Sequence, residues 1–126
     1  MPDPLIPAGR RGRSLVTALW LAYVAVMLYF ALGPTTVQTG LQHGDKLLHF
    51  LAFAGMAFLY PWPLSWSRLW LAALVVVGMA GGIEIVQDLS PAYGRHPELL
   101  DFLAGVAGGS VGLGLRFFLK ACRENA

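Results

Sequence analysis

Charge is scarce in this sequence. Only 13% of its 126 residues are charged, nine basic and seven acidic, about half the share of an ordinary soluble domain. So few charges would leave a small soluble domain with a large bare apolar patch. The composition therefore argues against a soluble globular enzyme, a disordered chain and a nucleic-acid binder. An isoelectric point near 9.0 does not alter this, because the net charge is only +2. Cysteine is nearly absent. Cys122 alone excludes an internal disulfide and a Cys-based zinc site, and it reads as a free thiol in the tail. No segment alternates polar and apolar residues with period two, which counts against a β-barrel.

Apolar length is what the chain has. Hydrophobic residues make up 56%, and the mean hydropathy is +0.60. Four spans of about 20 residues would use roughly 80 positions. The first run, Ser14 to Gly33, carries no charge. Ala31 and Gly33 form a small-x-small pair, but the run is longer than a signal-peptide core and reads as a retained helix. The second run is Leu47 to Trp62, closed by Pro61-Trp62-Pro63. The third is Leu69 to Val86, and the fourth is Leu99 to Leu119. The fold class expected is all-α, an integral-membrane four-helix bundle with antiparallel up-down topology. Residues 1–13 read as a disordered basic leader, 14–120 as the transmembrane domain and 121–126 as a cytoplasmic tail.

Basic residues orient such a bundle. Arg10, Arg11, Arg13, Arg68, Arg116, Lys120 and Arg123 fall on one side, and Lys46 and Arg95 on the other. Both termini are therefore expected in the cytoplasm. Trp62, Trp66 and Trp70 flank the cytoplasmic turn as an interfacial belt.

This orientation puts Asp45, Lys46, His49, Glu84, Gln87, Arg95, Glu98 and Asp101 at the outer end, with His43 and His96. Asp45 and Lys46 also fit a plain solvated helix start, where an acid suits the helix dipole. His49, Glu84 and Asp101 lie about one turn inside apolar runs, where an ionisable group needs a partner or a wet cavity. Asp45 and His49, at i and i+4, share one face, and so do Glu84 and Gln87, at i and i+3. Asp101 heads a stripe with Gly105, Gly108 and Gly112, all within about 40° on a helical wheel. Gly105, Gly108, Gly109 and Gly112, with Gly78 and Gly82 in the third run, form GxxxG pairs suited to close helix packing. Homodimerisation through these glycine faces is the competing use. Two histidines and three carboxylates at one end could hold a metal, but no HExxH or HxxxH spacing exists, so no metal or other cofactor is expected. Ser90 and Ser110 lack the setting of a nucleophile.

At these residues the chain resembles a known family. Asp45-Lys46-Leu47-Leu48-His49-Phe50, then Glu84 and Gln87, then Arg95 and Asp101 before a glycine-rich helix, look like the VanZ-like family over roughly residues 15–120. Members are small bacterial multi-pass membrane proteins, and the founding one is linked to low-level resistance to the glycopeptide teicoplanin. The resemblance implies the bacterial cytoplasmic membrane and no established reaction. Members commonly carry an asparagine four residues after the acid of the last helix, where this chain has Gly105.

The function expected is a non-enzymatic envelope protein. Its outer cluster would bind a lipid headgroup, a cell-wall or lipid-linked precursor, or a glycopeptide, with Lys46 and Arg95 contacting an anion. The partners are thus membrane lipids and such precursors, and no nucleic acid. The alternatives are a membrane-embedded enzyme acting on a lipid headgroup, with His49 as acid or base, and a carrier or structural subunit. The apolar middle of each run counts against transport.

Overall fold

The computed structural model describes residue 3 and residues 5–33, 40–90 and 96–126. Within them the chain is all-helical, with four α-helices and one short 3-10 turn. Helix α1 is Arg10–Leu32, α2 is Gly44–Phe58, α3 is Leu69–Leu89 and α4 is Leu99–Glu124, and the 3-10 turn Trp66–Arg68 leads into α3. The segment that holds α1, the one that joins the 3-10 turn to α3, and α4 are each long and apolar enough to cross a membrane. Large apolar side chains point outward from them, including Leu15, Leu19, Leu74, Ile85, Val111 and Phe118. These features mark a multi-pass membrane protein.

Helix α2 is the exception in length. Its 15 residues rise only about 22 Å, less than a hydrocarbon core of about 30 Å. The apolar run continues to Trp62, but the helix stops at Phe58. Proline is disfavoured inside a helix and disfavours helical geometry in the residue before it, so Pro61 and Pro63 keep the chain from continuing as one.

Helices α2 and α4 share the most extensive interface. Their contacts advance together along both chains: a Cβ on Gly108 would strike the Phe50 carbonyl, and one on Gly112 the Ala54 carbonyl. Lipid offers little hydrophobic drive between helices, so close backbone packing holds them. Between α3 and α4 the order reverses: Val76 lies against Gly109, Ala80 against Gly105 and Phe102 near Gly81. Helix α1 also meets α2 in reverse order, where Trp20 Nε1 donates to Met56 O at 2.9 Å and Tyr23 Oη to Ala52 O at 2.8 Å.

The α4 glycines pack as their spacing predicts. Gly105, Gly108, Gly109 and Gly112 are all buried. Gly78 and Gly82 do not pack against the described residues: among these, nothing lies within 4 Å of a Cβ built on either. The buried stripe of α3 is Ala72, Val76, Ala80, Ile83 and Gln87, which turns positions 78 and 82 to the far side. The α4 glycine face is thus occupied within the chain. Of the glycine pairs expected to pack, that of α3 is the one left open among the described residues.

The first thirteen residues also differ from expectation. Helix α1 begins at Arg10, inside the segment read as disordered. Asp3 is buried and ion-paired with Arg116 at 2.6 Å. Arg116 is 1% exposed. Its Nη1 donates to the carbonyl of Tyr60, and its Nη2 to that of Trp62 at 3.1 Å. Lys120 donates to Leu64 O at 3.1 Å. These cations satisfy carbonyls that the chain leaves without helical partners beyond the end of α2. Trp20, Tyr60 and Trp62 form an aromatic group beside them, with ring centroids 5.1–6.2 Å apart; Trp20 meets the other two edge-on, and Tyr60 and Trp62 are tilted.

Candidate functional site

The opposite end of the molecule gathers the polar residues. Asp45, Lys46 and His49 come from the first turns of α2, Glu84 from the last turns of α3, Glu98 from the residue before α4, and Asp101 from its first turn. Lys46 is the hub. Its Nζ lies 2.6 Å from Asp45, 2.6 Å from Glu98 and 3.1 Å from Asp101 Oδ1. Asp45 and Lys46 precede the apolar run that opens at Leu47. The hydrogen bond from Lys46 holds the Asp45 carboxyl below its ordinary range, and Asp45, then Glu98, push the Lys46 ammonium above its own.

Lys46 was expected to contact an external anion; in the structure three carboxylates of its own chain surround it. Glu98, which the sequence offered only as a polar residue of the last loop, belongs to the cluster. Its side chain meets Lys46, and its backbone N–H donates to Glu84 Oε2 at 2.7 Å. Arg95 lies outside the described residues.

His49 sits deeper. Its Nδ1 is 3.1 Å from Asp45 O and 4.0 Å from Asp101 Oδ2. A carbonyl oxygen only accepts, so Nδ1 carries the proton in that contact. When the ring is neutral, Nε2 is then a bare lone pair. It is buried and has no hydrogen-bond partner among the described residues. One ligand atom from each of His49, Glu84 and Asp101 falls within 4.8 Å of the others.

Gln87 takes a different part. It is buried, and its Nε2 donates to Ala31 O at 3.0 Å, tying α3 to the end of α1. Gly105 fits its place sterically. A Cβ there would sit 3.1 Å from the Phe53 ring and 3.4 Å from Ala80 Cβ, so an asparagine has no room without repacking. His43 and His96 are exposed and stand apart from these contacts.

A groove of about 470 Å³ opens beside the cluster, between α1 and α2. Tyr23, Val26, Met27, Phe30, Leu48 and Phe53 line its walls, and Asp45 and His49 supply a carboxylate and an imidazole. The groove is open to its surroundings along the helices and polar at one end. Comparison of the chain with protein-family models, with curated proteins and with solved structures finds no match.

Proposed function

We propose that this chain is a VanZ-like protein of the bacterial cytoplasmic membrane that binds an envelope amphiphile, a lipid or lipid-linked precursor, without transforming it. The polar head lies at the outer cluster and the tail in the groove between α1 and α2. In this reading α2 also crosses the membrane, the four helices run antiparallel up and down, and both termini are cytoplasmic. The contact order along α1–α2, α2–α4 and α3–α4 supports that topology. So does the position of Arg116 and Lys120 at the end away from the acidic cluster.

One observation carries the binding proposal: an apolar groove ends at Asp45 and His49. An amphiphile has the matching division, with a tail that prefers the groove and a head that needs polar partners. Lys46 is already paired, so the rim favours a head that brings hydrogen-bond donors, such as hydroxyl or amino groups, to Asp45 and His49.

The test is the lipid retained by purified protein. Wild type should carry a defined amphiphile into detergent, read by mass spectrometry. Val26→Trp, which fills the groove without touching the polar cluster, should lose it. Equal retention by wild type and Val26→Trp would refute the binding site. Conversion of the amphiphile by wild type but not by His49→Ala would make the protein the membrane-embedded enzyme instead.

A further inference from the structure

We propose that His49, Glu84 and Asp101 bind a divalent transition-metal ion of the zinc class. The three residues come from three different helices, α2, α3 and α4, yet offer ligand atoms within 4.8 Å of one another. In a tetrahedral zinc site with bonds near 2.0–2.2 Å, ligand atoms stand about 3.3 Å apart. Small side-chain rotations close the difference.

His49 has the hydrogen-bond pattern of a metal ligand. Its Nδ1–H donates to the Asp45 carbonyl at 3.1 Å, and its buried Nε2 has no partner among the described residues. Histidines that bind metal commonly hold one ring nitrogen by such a hydrogen bond and coordinate through the other, which here is Nε2. A structural histidine in an apolar bundle would be expected to satisfy both nitrogens.

Charge points the same way. Among the described residues Asp45, Glu84, Glu98 and Asp101 face one lysine. Lys46 lies against Asp45, Glu98 and Asp101, and Glu84 forms no ion pair among the described residues. A carboxylate at the edge of the apolar region needs compensation, and a divalent cation supplies it. Asp45, Glu98 and Asp101 form a second acidic group of ligand spacing, but the Lys46 ammonium occupies that position. Asp101 therefore divides its oxygens: Oδ1 lies 3.1 Å from Lys46 Nζ and Oδ2 lies 4.0 Å from His49 Nδ1.

The donor set selects the ion. One imidazole and two carboxylates suit zinc, whereas magnesium prefers oxygen ligands and keeps its waters. Three protein ligands leave a fourth position open. His49 also lines the groove, whereas Glu84 and Asp101 do not. The ion site does not depend on the amphiphile being there.

Delipidated full-length protein in detergent, stripped with chelator and dialysed against Zn²⁺, tests this directly. About one equivalent should remain bound, and Co²⁺ in its place should give visible ligand-field bands. His49→Ala and Glu84→Gln should each weaken binding at least tenfold, and Glu98→Gln should not. With ¹⁵N-histidine wild type, Zn²⁺ should shift the Nε2 resonance of His49, a readout that needs no variant. Failure of wild type to bind zinc overturns the proposal; so does undiminished binding by folded His49→Ala, or a shift confined to His43 or His96. If Arg95 supplies the compensating charge, wild type takes up no zinc and the proposal falls. Because zinc is measured without lipid, its failure is distinct from failure of the amphiphile reading.

Discussion

Arg116 and Asp3 stand 113 positions apart in the chain, yet one carboxylate oxygen of Asp3 accepts from both Nε and Nη2 of Arg116, at 3.1 and 2.6 Å. The pair joins the residues ahead of α1 to the last helix. Removing one partner of a buried pair typically costs about 3–5 kcal/mol. Arg116→Ala should reach that range, because it also leaves the carbonyls of Tyr60 and Trp62 without their donor. Asp3→Asn should cost less, since the amide oxygen still accepts. Unfolding in detergent micelles, followed by tryptophan fluorescence, ranks the two.

The same pair sets an acid limit. Burial alone would raise the Asp3 carboxyl, but the hydrogen bond from Arg116 and those from the Leu5 and Leu64 amides outweigh it and hold the carboxyl below its ordinary value. A depressed folded-state value adds stability that is fully present above the unfolded value, about 3.9. That stability is lost as pH falls through the folded value. Wild-type stability should therefore drop more steeply below about pH 4 than that of Asp3→Asn, and parallel melting curves would dismiss the effect.

The glycines separate into two groups. Gly108→Ala and Gly112→Ala should force α2 and α4 apart and lower the unfolding midpoint markedly, because the obstacle in each case is backbone. Gly78→Ala and Gly82→Ala meet open space and should be neutral or slightly stabilising through helix propensity. Comparable losses in both groups would mean that the α3 glycines carry a contact of their own.

Lys46 lies near three carboxylates of unequal worth. The side chains of Asp45 and Glu98 are about half exposed, whereas that of Asp101 is 10% exposed. Exposed pairs contribute at most about 1 kcal/mol. Double-mutant cycles with Lys46→Met should give the largest coupling with Asp101→Asn, and small couplings with Asp45→Asn and Glu98→Gln. Equal couplings would show that water screens all three alike.

Cys122 is exposed and is the only cysteine. With the C-terminus in the cytoplasm, a membrane-impermeant maleimide should label it only after cells are permeabilised. Labelling of intact cells would reverse the proposed topology and place the acidic cluster inside.

Some of this was legible in the sequence. The α4 stripe was, because Asp101, Gly105, Gly108 and Gly112 repeat at helical spacing and small residues in lipid have one main use. The gathering of His49, Glu84 and Asp101 was, because three apolar runs each end in an ionisable residue at the same level. Gly78 and Gly82 misled, since a GxxxG pair does not say which face of a helix meets its neighbour. Arg116 was counted as one more cytoplasmic charge. Its signal was present: it continues the buried α4 stripe one turn beyond Gly112. Asp3 gave no such signal, because its partner lies at the far end of the chain. The end of α2 was placed late, since the apolar run outlasts the helix and only the prolines mark where backbone geometry changes.

The close approach of α2 to α4 has a mechanical consequence for the groove. Where glycine lets one backbone rest on the other, no side chain can rotate to make way, and the α2 side of the groove is stiff. The opposite wall is α1, held to its neighbours by Trp20, Tyr23 and Gln87, each reaching across to a carbonyl. Trp20 and Met27 of α1 also reach the core, so this wall rests on side chains where the α2 wall rests on backbone. If the proposed amphiphile enters the groove, α1 is the wall expected to yield, and the bundle would then act as a fixed jaw and a moving one.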